Sequence, residues 1–300
     1  MKLKNLIKRI FPLPAYNANL AEKRILSELA NLRNVIETTK VDLQKILFQQ
    51  TLHTIEEEKS HLTDGLHFCN ICGYNGTGWG NVGNNARIFK NYHIIGGGIR
   101  ENAMCPQCGS ADRYRWLYFV LKNKTPLFYA GGTVLHFAPE KPVADRIMAC
   151  NNVDYYTGDI EKGVAMHITD ITDIQYKDSV FDYVICNHVM EHIKDEKKAV
   201  EEIKRVLKPD GRWIFSFPVC TDLAETFEDD SISSEEERWE KYGQGDHVRL
   251  YGMDFAERFS KYGFDLQIFT PKNELNEIEI KRNSFIADDI IILARKNKRI

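Results

Sequence analysis

Between Leu20 and about Lys59 the chain has no Gly or Pro, and Ile25, Leu29, Leu32, Ile36, Leu43 and Ile46 keep a 4-3-4 spacing broken only at Thr39. That pattern, close to three heptads, predicts a helix with a narrow apolar seam. On an otherwise charged helix such a seam needs a cover, either a second copy of the chain, paired through residues 20–50, or the body of the same chain. Ahead of it, Leu3, Leu6, Ile7 and Ile10 share a helical face ringed by Lys2, Lys4, Lys8 and Arg9, until Pro12 and Pro14 stop the helix. Residues 1–11 thus offer either weak contact with an anionic membrane surface or a frayed arm. The arm is favoured, because about three turns bury little.

After Ala130-Gly131-Gly132 the pattern changes to short β-rich runs alternating with amphipathic stretches. Residues 133–137, 153–157, 164–168, 181–186 and 213–217 read as strands, and 141–150 and 199–207 as helices, the second ending before Pro209-Asp210-Gly211. Residues 264–269 and 289–294 read as a terminal antiparallel pair. Strands alternating with helices imply parallel pairing and right-handed crossovers, hence a doubly wound α/β sheet. The expected organisation is a basic amphipathic segment (1–16), a helical region (17–62), a cysteine module (63–128) opened by the break at Asp64-Gly65, and the α/β domain (129–300).

Composition narrows the function. With 300 residues and 43% hydrophobic content the chain can fill one ordinary core and smaller modules. A net charge of −3, from 40 basic and 43 acidic residues, provides no global field to draw it onto nucleic acid. No apolar run approaches the roughly 20 residues of a membrane span, and Lys8 and Arg9 interrupt the start, which is not a convincing signal peptide. Seven cysteines, four of them in two Cys-x-x-Cys pairs, point to a reducing, cytosolic compartment and to metal binding rather than disulfides.

Cys69-Asn-Ile-Cys72-Gly and Cys105-Pro-Gln-Cys108-Gly are knuckles 32 residues apart. Each wraps backbone amides round two thiolates, and the glycine that follows permits the positive-φ turn closing the loop. Together Cys69, Cys72, Cys105 and Cys108 complete a four-thiolate zinc site with no open position, which is structural in role. The segment between them, with Tyr74, Trp79 and Tyr92, either recognises substrate or packs. Cys150, Cys186 and Cys220 lie in or beside apolar runs and read as core.

A doubly wound sheet binds its ligand outside the carboxyl ends of its strands, which here begins with the turn His136-Phe137-Ala138-Pro139-Glu140. The turn lacks glycine. That argues against a pyrophosphate, which needs crowded amides, and is compatible with a cationic sulfonium carrying an amino-acid tail.

Val134-Leu-His-Phe-Ala-Pro-Glu140, Tyr155-Tyr-Thr-Gly-Asp159, Asp170-Ile-Thr-Asp173, Phe181-Asp-Tyr-Val-Ile-Cys-Asn-His-Val-Met-Glu-His192 and Arg205-Val-Leu-Lys-Pro-Asp-Gly211 resemble the successive motifs of class I S-adenosylmethionine-dependent methyltransferases of the type 11 kind. The likeness covers about residues 130–300. It extends to a bacterial subgroup in which a four-cysteine module precedes the His-Phe-Ala-Pro-Glu turn and a segment like Asp246-His-Val-Arg-Leu-Tyr-Gly252 follows the fifth strand. The resemblance implies S-adenosylmethionine as cofactor and a seven-stranded Rossmann-like sheet. It assigns His136, Phe137, Ala138, Pro139 and Glu140 to the methionine part, Asp159 to the ribose hydroxyls, Asp170 with Ile171 to the adenine, and Asn187 and His188 to the neighbourhood of the reactive methyl.

Methyl transfer to a hydroxyl needs alignment and a proton acceptor, and His is the natural base near neutral pH. His247 and His188 are the catalytic candidates, with Arg249 and Tyr251 meeting the acceptor; Glu191-His192 reads first as a charged helix start. The expected reaction is O-methylation of a small molecule or surface-glycan precursor. The alternatives are an RNA base methyltransferase with a zinc-ribbon reader and a non-catalytic zinc-stabilised scaffold.

Overall fold

The computed structural model describes residues 26–33, 35–47, 49 and 67–297, so the amphipathic segment expected at 1–16 lies outside the described residues. The chain divides into two units, Met1–Glu58 and Lys59–Ile300. In the first, residues 26–33 (α1) and 35–47 (α2) are helical, and the seam residues Leu29, Leu32, Ile36, Leu43 and Ile46 are exposed. Among the described residues no helix is long and apolar enough to cross a membrane.

The second unit opens with short strands, β1 (His67–Phe68), β2 (Asn75–Gly76), β3 (Gly80–Val82), β4 (Ile94–Ile95) and β5 (Arg100–Met104), then α3 (Asp112–Lys124) and α4 (Leu127–Ala130). The alternating region follows: β6 (Gly132–Phe137), α5 (Lys141–Met148), β7 (Val153–Asp159), β8 (His167–Ile168), β9 (Phe181–Asn187), α6 (Glu196–Val206) and β10 (Leu207–Ser216). It closes with β11 (Val219–Cys220), α7 (Glu235–Tyr242), α8 (Phe255–Lys261), β12 (Phe264–Phe269), α9 (Pro271–Glu274), α10 (Glu277–Arg282) and β13 (Ile291–Lys296). Seven strands form one sheet in the order β12-β13-β10-β9-β6-β7-β8, and β13 runs antiparallel to both neighbours. The expected doubly wound sheet and its terminal antiparallel pair are both present.

Two boundaries differ from the pattern-based expectation. The third strand keeps only His167–Ile168, which pairs with Gly158 and Asp159 at the edge of the sheet. Strand β10 starts at Leu207 and passes through Pro209-Asp210-Gly211, with a register shift against β9 between Leu207 and Arg212 that absorbs the residues a regular ladder would reject.

Alternation along the central strands builds the two layers. Leu135, Val184, Trp213, Phe215 and Ile292 face a core shared with Ala199, Val200 and Ile203 of α6 and Phe259 of α8. Val134, Ile185, Ile214 and Leu293 face the other, against Trp116, Leu117 and Val120 of α3 and Val143 and Ile147 of α5. That second core also takes in Cys69, Ile71, Trp79 and Cys105, so the cysteine module packs directly onto the sheet through α3. Buried Arg115 ties this junction, donating to the carbonyls of Ala103 (2.9 Å), Ser110 (2.6 Å), Asn283 (3.1 Å) and Ser284 (3.2 Å).

Candidate active site

The carboxyl ends of β6, β9 and β10 are joined by a buried polar chain. His136 Nδ1 lies 2.8 Å from the Tyr155 hydroxyl and its Nε2 3.0 Å from Glu140 Oε2; Asn187 Nδ2 donates to Glu140 Oε1 at 2.6 Å, and the Ser216 hydroxyl donates to Asn187 Oδ1. Burial pushes the Glu140 carboxyl up, but the hydrogen bonds and charge of His136 and the amide of Asn187 outweigh it and hold the acid below its ordinary range. The glycine-free turn still takes a glycine-like path, because Ala138 adopts φ +45°, in the left-handed region. His136 is fully buried and Phe137 nearly so, which leaves the backbone around Ala138 and Pro139 as the part of the turn that can face a ligand.

The acids at the next strand ends are partly engaged. Asp159 Oδ1 accepts from the Glu161 amide (2.8 Å), and exposed Asp170 Oδ1 accepts from the Thr172 amide and hydroxyl (both 2.8 Å). Ile171 points into the core, so its side chain is turned from the adenine position implied for it.

Beyond β9 the chain turns sharply at His188, φ +55°. Its Nδ1 lies 3.1 Å from Glu191 Oε1, while its buried Nε2 has no hydrogen-bond partner. Burial and the Arg113 charge hold this imidazole below its ordinary value, so it is neutral near pH 7. A cavity of about 230 Å³ opens here, lined by His188, Glu191, His192, His247, Arg113 and the glycine run Gly96–Gly98. The glycines roof it: a Cβ on Gly96 would lie 3.6 Å from the His188 ring, and Arg100 donates to the Gly96 and Gly98 carbonyls while pairing with Asp112 at the start of α3. His247 reaches the cavity because α7 ends at Gly243, φ +86°, and the loop beyond is pinned by the Val248 amide donating to the Glu191 carbonyl at 2.9 Å. Its burial lowers the imidazole to about 4.

Residues 134–215, which hold the polar chain as far as Asn187 and the His188 turn, match the family described as methyltransferase domain. The match covers 82 of the 300 residues. Ajmaline N-methyltransferase of Rauvolfia serpentina is 28% identical over 116 residues, 36% of this chain and 39% of that protein. An uncharacterized protein of Methanocaldococcus jannaschii is 39% identical over 54 residues, 18% of this chain and 26% of its own length. The chain therefore spans less than half of either curated relative. Among solved structures, Haemonchus contortus phosphoethanolamine N-methyltransferase 2 in complex with S-adenosyl-L-methionine aligns with a TM-score of 0.42 at 15% identity, over 62% of this chain and 56% of that one.

Around the methyltransferase domain, two expected acceptor contacts are spent elsewhere. Arg249, 2% exposed, donates to Glu228 and to the carbonyls of Met190, Ile193 and Lys194, and Tyr251, fully buried, donates to Glu196 at 2.6 Å. Both brace the loop from behind rather than line the cavity. Arg113, which sequence reasoning left out of the site, does line it. Its charge is felt by both Glu140 and Glu191, and its buried Nε has no partner. Its position directly after the second knuckle, together with the triple glycine, was the available signal.

In the cysteine module the Sγ atoms of Cys69 and Cys108, and of Cys72 and Cys105, are 3.7 Å apart. Zn–S bonds of about 2.3 Å in a tetrahedron place sulfurs about 3.8 Å apart. The four thiols thus have the spacing of a tetrahedral ion site and are far beyond disulfide length.

Proposed function

We propose that this chain transfers a methyl group from S-adenosylmethionine to an oxygen of a small-molecule or glycan acceptor. The observation that carries the reading is the placement of His188, which follows directly from the polar strand-end chain and leaves its Nε2 unpartnered against the roofed cavity. On this reading the backbone of the Ala138–Pro139 turn, Asp159, Asp170 and Asn187 hold the cofactor, which supplies a methyl group on a positively charged sulfur. The protein's own work is alignment and exclusion of water. Arg113 and the glycine roof close the acceptor side, and His188 takes the proton as the acceptor oxygen forms its bond to the methyl carbon and the carbon–sulfur bond breaks.

Residues 129–300 are the catalytic domain in this scheme, and residues 63–128 a lid held by structural zinc on Cys69, Cys72, Cys105 and Cys108. A second cavity of about 480 Å³ that shares the glycine run, lined by Phe89, Tyr92 and Ile94 among others, gives the rest of the acceptor a place to lie. Calorimetric titration of the full chain with S-adenosylmethionine tests the reading: saturable binding is expected, and no binding at about 1 mM would overturn it in favour of a non-catalytic scaffold.

A further inference from the structure

The cavity holds a second set of metal-ligating groups. Among the described residues, Glu191, His192 and His247 each place one donor atom within 4.8 Å of the other two. Three features make this more than a cluster of polar side chains. Glu191 is 1% exposed, yet only its Oε1 is engaged, by His188; Oε2 has no hydrogen-bond partner although Arg113 is within electrostatic reach. An unpaired buried carboxylate oxygen is costly and calls for a ligand. His192 Nδ1 lies 3.1 Å from Asp246 Oδ2, an outer carboxylate next to the set. The His247 loop is anchored to the ligand-bearing turn itself through the Val248–Glu191 backbone bond.

We propose that Glu191, His192 and His247 bind a divalent first-row transition ion, and that the ion holds an oxygen donor of the acceptor in the cavity. Two imidazoles and one carboxylate suit such ions and leave positions open, unlike the closed four-thiolate site. The second half of this statement rests on the methyltransferase reading; the first does not.

The test is titration of zinc-loaded full chain with Co2+, followed by calorimetry and visible absorption, with neither cofactor nor acceptor present. Expected is uptake of one further ion per chain with a spectrum free of the sulfur-to-metal charge-transfer band that a thiolate site gives. Glu191→Gln, His192→Ala and His247→Ala should each weaken uptake about tenfold or more, with circular dichroism and cysteine-bound zinc retained. Should Glu191→Gln fail to fold, the two histidine variants decide. No uptake by the wild-type chain at about 1 mM, uptake seen only as a thiolate band, or wild-type affinity in both histidine variants would overturn the site. None of these results bears on S-adenosylmethionine binding, so the two readings fail separately.

Discussion

The rings of His192 and His247 meet edge to face, their centroids 4.7 Å apart at 87°. One comes from the turn after β9 and the other from the loop after α7, so the contact joins the strand-end site to the segment that closes the cavity. His247→Ala should therefore leave S-adenosylmethionine affinity within about twofold of wild type while lowering kcat by roughly a hundredfold or more, the range for a positioned acid–base or acceptor-binding group. Full turnover in the variant, once an acceptor is in hand, would remove His247 from the chemistry.

Ala138 holds a backbone conformation that costs an L-residue about 1 kcal/mol. Ala138→Gly relieves that strain but loosens the unfolded chain, so stability in urea should change by less than about 1 kcal/mol. Ala138→Val should lose more than about 1 kcal/mol. Equal stability of the two variants would show that the turn is unstrained.

Asp289 supplies the clearest pH dependence. It is fully buried, and burial followed by the nearby Asp112 charge raises its carboxyl from 3.8 to about 7, against smaller opposing effects of the Ile290 amide, Arg100 and Arg113. A raised folded-state value means that the stabilisation is complete below about 3.8 and is lost as pH rises through about 7. Asp289→Asn cannot ionise. Its stability relative to wild type should thus increase between pH 4 and pH 8 by about 1–4 kcal/mol, measured by denaturant unfolding at each pH. A pH-independent difference would contradict this.

The sheet was legible because its cues are local. Short β-rich runs at residues 133–137 and 181–186, and knuckles of fixed spacing, need no knowledge of distant chain. The surroundings of Arg249 and Tyr251 were not legible, for the opposite reason. Arg249 and Tyr251 alternate with Val248 and Leu250, but their partners, the carbonyls after β9 and Glu196 of α6, are supplied only by the folded chain. His136 was placed at the right turn, yet its burial depends on Tyr155 and Glu140 closing round the ring. Glu191 and His192 looked like an ordinary helix start until the α7 loop brought His247 against them.

Asp159 carries the central claim, since it ends β7 with one carboxylate oxygen committed to the Glu161 amide and the other available to a vicinal diol. Side-by-side calorimetry of wild type and Asp159→Ala with S-adenosylmethionine is the most direct measurement. The wild-type chain should bind, and the variant should bind about tenfold to a hundredfold more weakly, as loss of a charge-assisted hydrogen bond requires. Equal affinity in the two proteins, or none in the wild type, would contradict the account.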